Sequence, residues 1–104
     1  MKLPKKVRVG GHDIDVAAVV MDKGGWGEYR PADGVIELNA EASPSQQATT
    51  LVHEILHVCF QEVGLNLHFK PTQEEQIVRS LEPLLYQVIR DNPAVIKFIQ
   101  RGGK

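Results

Sequence analysis

The sequence contains one cysteine, Cys59, so no disulfide can form within the chain. It also has no run of the roughly 18 apolar residues that a membrane-spanning helix needs, and no apolar run follows the lysines of residues 1–10 as in a signal peptide. A formal net charge of -1 gives no basic field for nucleic acid or anionic membranes. We therefore expect a cytoplasmic protein that binds neither nucleic acid nor membrane.

What the sequence does contain is typical of a single folded domain. Its 104 residues are 42% hydrophobic and 24% charged, which matches ordinary globular proteins and predicts one domain over residues 1–104. Two β-hairpins are predicted in the first third, one around Gly10 and Gly11 and one around the turn Pro31–Gly34. The predicted strand segments are residues 6–9, 14–21, 26–30 and 35–38. We expect residues 35–38 to form a sheet edge that an extended peptide could join.

Helices are predicted for most of the remainder. Ser43 and Pro44 form a typical helix start, and Gly64 a typical stop, so the first helix should span about residues 44–63. Its apolar residues cover most of the circumference, Cys59 among them, which predicts burial on nearly all sides. A second helix is predicted from Thr72 to about Arg90, in which Pro83 predicts a kink or break near residues 79–82, and a short third one from Pro93 to Ile99. The expected architecture is α+β, with a mostly antiparallel sheet packed against the first helix.

The first helix carries the pentad His53-Glu54-Ile55-Leu56-His57. Residues four apart lie above one another on a helix, so both imidazoles can bind one Zn²⁺. The glutamate between them, Glu54, would then act as general base on a zinc-bound water. The pattern H-E-x-x-H therefore predicts a hydrolytic zinc site.

The segment Leu51–His57, with a hairpin before it and a glutamate-led helix after it, resembles the gluzincin zinc metallopeptidases. It is similar in particular to the ImmA/IrrE-like and minigluzincin families of bacteria and phages, over about residues 26–90. The resemblance implies a zincin-like fold and a third zinc ligand from the helix after the pentad. It departs from the family pattern at Ile77-Val78, where ImmA-like sequences have alanine-asparagine. In some small relatives a C-terminal segment keeps the enzyme latent, which implies that residues 91–104 could cover the cleft.

The third ligand is less certain from the sequence than the two histidines. The candidates after His57 are His68, Glu74, Glu75 and Glu82. Glu74 is in phase with the apolar face of the second helix and should point inward, whereas Glu75 lies nearer the rim. Glu75 could also form a capping box with Thr72. This reasoning favours Glu74 as the metal ligand and keeps Glu75 as the alternative.

The predicted function is that of a zinc metalloendopeptidase acting on a peptide or protein, with latent or narrowly specific activity. The alternative is a zinc-retaining but non-catalytic binding or regulatory protein of phage or bacterial origin. No substrate-binding residue is predicted with any precision, although an oxyanion could be stabilised by one of His12, Tyr29, His68 and Tyr86. The sequence predicts neither the natural substrate nor the oligomeric state.

Overall fold

The computed structural model, which describes residues 2–22 and 24–103, begins with a four-stranded sheet. The strands are β1 (Lys6–Val9), β2 (His12–Val19), β3 (Gly27–Arg30) and β4 (Val35–Asn39). The sheet order is β1-β2-β4-β3. The β1–β2 and β3–β4 pairs are antiparallel hairpins, as predicted, and β2 pairs with β4 in parallel.

The parallel pairing changes which strand lies at the sheet edge. Ile36 of β4 pairs with Val16 on one side and with Tyr29 on the other, so β4 is a central strand. The expectation that residues 35–38 form an edge is therefore wrong, and β3 is the edge strand of that hairpin. The error arises because a hairpin pattern predicts only that its own two strands pair. It does not predict the longer-range pairing of β2 with β4.

Helix α1 (Pro44–Glu62) crosses the sheet and closes the core. It starts as predicted: the Gln46 backbone N–H donates to the Ser43 hydroxyl at 3.1 Å. It ends before Gly64, whose φ of 77° lies in the left-handed region that glycine adopts without strain. The buried core cluster joins this helix to β2 and β4 through Ile14, Val16, Ile36, Leu38 and Val58.

The burial of α1 is less complete than predicted. Cys59 is exposed and Val63 is 70% exposed, because the sheet covers one side of the helix and α2 covers another. The prediction that Cys59 is a buried hydrophobic residue is therefore wrong. Apolar residues around most of a helix do not indicate which of its sides pack against other elements.

Two helices complete the fold after the short 3₁₀ turn Leu65–Leu67: α2 (Pro71–Asp91) and α3 (Pro93–Gln100). Of the kink or break predicted near residues 79–82, the break does not occur, since α2 continues through Pro83. Helix α2 also starts before Thr72, because Gln73 Oε1 accepts a hydrogen bond at 2.8 Å from the backbone N–H of Lys70. Among the described residues no helix is long and apolar enough to cross a bilayer.

Candidate metal centre

The two histidines of the pentad lie side by side on α1. Their side chains are 16% and 19% exposed, which leaves one side of each ring open to solvent. Helical spacing brings the Nε2 atoms of His53 and His57 to 3.3 Å from each other. Two potential metal donors thus face a common space.

A carboxylate from α2 reaches the same space. Glu75 Oε1 lies 2.7 Å from Nε2 of His53 and 3.3 Å from Nε2 of His57. Within residues 2–22 and 24–103, this is the one group of three histidine, cysteine or acidic side chains whose donor atoms converge closely enough to hold a metal ion. The site therefore combines two residues of the pentad with one from the first turns of α2.

The opposite nitrogen of each ring bonds to a different carboxylate. His53 Nδ1 lies 2.7 Å from Glu82 Oε1, and His57 Nδ1 lies 2.6 Å from Glu74 Oε2. An ionised carboxylate can only accept, so each Nδ1–H must be the donor. In the neutral imidazole, this tautomer leaves the lone pair on Nε2, directed at the shared space.

Two of the three distances between the donor atoms fit a tetrahedral metal ion. Zinc bonds to imidazole nitrogen at about 2.0–2.1 Å, so the edge of its tetrahedron is about 3.3 Å long. The Nε2–Nε2 distance and the distance from His57 Nε2 to Glu75 both equal that edge, each being 3.3 Å. The contact of Glu75 with His53 is shorter, at 2.7 Å. Two imidazoles and one carboxylate are also the donor set of hydrolytic zinc sites.

The positions of Glu74 and Glu75 differ from the sequence-based prediction that Glu74 is the metal ligand. Glu74 does point inward, with its side chain 15% exposed against 39% for Glu75. The inward-pointing Glu74 carboxylate reaches Nδ1 of His57. Glu75 instead lies on the open side of the rings, where the Nε2 atoms converge. The expected capping role of Glu75 is absent because Gln73 makes that bond, two residues earlier than predicted. The geometry thus favours the alternative, Glu75, for the ligand position.

Glu54 lies on the buried flank of the site. It is 6% exposed, and this burial raises the pKa of its carboxyl group, although the neighbouring charges of His53 and His57 oppose the shift. The pKa of His57 is also raised: burial lowers it, but the hydrogen bonds to Glu74 and Glu75 and the charge of Glu54 outweigh that effect. The carboxylates around His57 therefore favour its positively charged form.

The three donors open into a cleft of about 960 Å³. Its rim includes Trp26, which is 57% exposed, and Arg79, whose side chain is 75% exposed. Of the four residues considered for oxyanion stabilisation, Tyr29 lines the cleft, and its side chain also packs against the core cluster. The other three lie elsewhere: His12, for example, is 3.4 Å from Glu62.

The C-terminal segment was expected to cover this cleft. The cleft lining is drawn from residues 25–82, and α3 packs against α2. Lys104 lies outside the described residues. The arrangement of residues 91–103 gives no support to a covering role, which stays a prediction.

From the sequence Glu82 is a candidate metal ligand, and its contact with Nδ1 of His53 is not predicted. Glu82 Oε1 accepts from His53, and its other oxygen, Oε2, accepts from the Thr49 hydroxyl at 3.1 Å. The available signal was spacing: Glu82 follows Glu75 by seven residues, two helical turns, and so lies on the same face of α2.

Comparison with known proteins identifies the family of the chain. Residues 11–81 match the family model described as Peptidase_M78, IrrE N-terminal-like domain. The matched segment runs from the β1–β2 turn into α2 and contains both histidines, Glu54, Glu74 and Glu75. No curated protein and no solved structure matches the chain.

Proposed function

Because the chain belongs to the IrrE N-terminal-like family of Peptidase_M78, a family of the protease type, we propose that it is a zinc-dependent metalloendopeptidase. The α+β fold, a mostly antiparallel sheet with three helices, fits the zincin-like fold of that family. In this proposal His53, His57 and Glu75 hold the zinc ion and Glu54 is the general base. A cytoplasmic location remains part of the proposal.

One observation carries the proposal. Three potential metal-binding atoms, the two Nε2 atoms and Glu75 Oε1, converge within 3.3 Å, while the Nδ1 atom of each ring already contacts another carboxylate. Unprotonated nitrogens and a carboxylate oxygen at these distances repel one another unless a proton or a metal ion lies among them. The donor set and its spacing suit zinc better than magnesium or calcium, which prefer oxygen ligands.

A bound zinc ion would polarise the substrate carbonyl and lower the pKa of a bound water to about 7. The carboxylate of Glu54 would accept the proton of the attacking water and pass it to the leaving amine. Glu74 and Glu82 would keep the two imidazoles in one tautomer and orientation.

The cleft also supports a peptide or protein as substrate. Strand β3 is the last strand of the sheet, and among the described residues its outer edge has no strand partner. An extended peptide could add to this edge through backbone hydrogen bonds. Trp26, just before β3, would offer an apolar contact to a substrate side chain, and Arg79 could bind a substrate carboxylate.

The proposal is tested with wild type and two variants, Glu54→Gln and Glu41→Gln, each loaded with zinc. The substrate is an unfolded, reduced and alkylated protein, and new termini are identified by mass spectrometry. We expect Glu54→Gln to retain one zinc ion per chain and to lose cleavage by at least about 100-fold, as for a general base. Glu41 is exposed and outside the cleft lining, so its variant should cleave like wild type.

The same experiment separates the proposal from the alternative. Cleavage by Glu54→Gln at the wild-type rate would contradict the mechanism. Zinc binding without cleavage of any substrate by wild type would instead favour a zinc-retaining regulatory protein.

A further inference from the structure

The C-terminal helices carry an apolar surface that the rest of the chain leaves uncovered. On α2 its members recur at helical spacing, and three more lie on α3, which packs against α2. Each of these side chains is between 39% and 67% exposed. We call this the α2–α3 surface; it consists of Leu81, Leu84, Leu85, Val88, Ile89, Val95, Phe98 and Ile99.

The packing of α2 on α1 explains why the end of this surface has no cover. The contacts Thr49–Glu82 and His57–Glu74 show that the two helices run antiparallel. If this register is continued, Pro44 at the start of α1 lies opposite about residue 87 of α2. The last turn of α2, which carries Val88 and Ile89, therefore extends past the start of α1, and α3 packs against α2.

The size of the surface is that of one side of a stable interface. Eight large apolar side chains that are about half exposed present roughly 800 Å², the area that each partner contributes to a standard protein–protein interface. Exposed apolar patches on monomeric proteins rarely exceed a few hundred Å². The surface is therefore larger than a monomer is expected to leave in water.

The low net charge near the surface suits a second copy of the chain as its partner. Residues 81–103 contain five charged side chains, Glu82, Arg90, Asp91, Lys97 and Arg101, with a net charge of +1. Glu82 is turned toward His53, and Arg90 and Asp91 pair with each other at 2.9 Å. Two such surfaces would repel each other only weakly, and a net charge of this size gives little field to attract a strongly charged partner or an anionic membrane.

We propose that the protein forms a symmetric homodimer in which the α2–α3 surfaces of two copies pack against each other. A two-fold interface uses the same patch on both subunits, so one self-compatible surface is sufficient. The inference is independent of the metal centre, whose donors face the cleft.

The test compares the full-length wild type with two surface variants and a matched control. The double variant Leu84→Glu/Phe98→Glu puts charge at two of the more exposed positions, and Ile99→Lys is a second disruption of opposite charge. The control, Leu67→Glu, alters a leucine that is 83% exposed outside the surface. Mass is measured by sedimentation equilibrium over about 1 μM to 1 mM, spanning micromolar to millimolar Kd values. Far-UV circular dichroism and zinc content check that each variant is folded.

We expect wild type and the Leu67→Glu control to reach twice the monomer mass of 11.6 kDa. Both surface variants should raise the dimer Kd by about 30-fold or more, as at interface hot spots. A wild type that stays monomeric across the range overturns the proposal. So do folded surface variants that dimerise like the control. A monomeric wild type that instead binds vesicles of phosphatidylcholine and phosphatidylglycerol assigns the surface to a membrane and also overturns it.

Discussion

Pro83 divides α2 into a first half, residues 71–82, and a second half, residues 84–91, which have different surroundings. In the first half Val78 is fully buried, and Glu74 and Glu82 bond to histidines of α1. In the second half Leu84 is 67% exposed and Val88 is 41% exposed. One amphipathic helix thus both builds a site and presents a free surface. Part of the difference arises because the last turn of α2 extends past the start of α1.

The sharpest test of this difference uses the same substitution in both halves. Val78→Ala removes buried methyl groups and leaves a cavity, so we expect a loss of roughly 2–4 kcal/mol in the free energy of unfolding. Val88→Ala, at a 41% exposed position, should cost less than half as much at concentrations where the chain is monomeric. Urea unfolding monitored by circular dichroism measures both. Equal losses would mean that the two halves are equally covered.

The next test concerns the carboxylates that bond to the Nδ1 atoms of the two imidazoles. Glu74→Gln and Glu82→Gln each weaken the orientation of one ring, and we expect zinc affinity to fall about 10- to 100-fold. Competition with a chromophoric chelator measures the affinity, and Glu41→Gln is the control. Unchanged affinity in both variants would remove the site-building role assigned to the first half of α2.

A third test probes the close approach of β3 to α1, which forms the opposite wall of the cleft. A Cβ at Gly27 would lie 2.6 Å from Thr50 Cγ2 and 2.9 Å from the Glu37 carbonyl oxygen. Gly27→Ala should therefore cost about 1–2 kcal/mol of stability through overpacking. Gly11→Ala is the matched control, because a Cβ there meets nothing within 4 Å. Thermal unfolding compares the two, and equal stability would show that β3 can move away without loss.

The smallest expected effect concerns Glu54 in the metal-free protein. Its pKa is raised in the fold by burial, so the folded state binds this proton more tightly than the unfolded chain, whose value is near 4.5. The associated stability is present below that pH and is lost as the pH rises through the raised pKa. Glu54→Gln should therefore be more stable than wild type at neutral pH and lose this advantage in acid.

Urea midpoints in the presence of a chelator measure the Glu54→Gln effect at several pH values. A variant less stable than wild type at neutral pH would contradict the burial cost assigned to Glu54. Such a result would mean that the attraction of His53 and His57 outweighs burial, the reverse of the direction inferred for the carboxyl group.

Local signals predicted the element bounds well. The start of α1 at Ser43 and Pro44, its stop before Gly64, and the turn Pro31–Gly34 each depend on backbone preferences of a few adjacent residues. The β2–β4 pairing was not predicted, because strands distant in sequence pair through packing that no local pattern encodes. The exposure of Cys59 was missed for the same reason.

The site shows the same division between local and non-local information. The pentad spacing alone brings His53 and His57 together, since both lie on one helix. Choosing between Glu74 and Glu75 required knowing on which side of the rings the metal space lies. Helical phase correctly predicts that Glu74 points inward. There, however, it contacts Nδ1 of His57, and it is Glu75 that contacts Nε2.

The most direct measurement is a zinc titration by calorimetry of wild type, Glu75→Gln and Glu74→Gln. We expect one zinc ion per wild-type chain and a loss of affinity in Glu75→Gln larger than the 10- to 100-fold typical of residues that only support a ligand. Glu74→Gln should fall within that lower range. Wild-type affinity in Glu75→Gln, or a greater loss in Glu74→Gln than in Glu75→Gln, would contradict the assignment of His53, His57 and Glu75 as the metal centre.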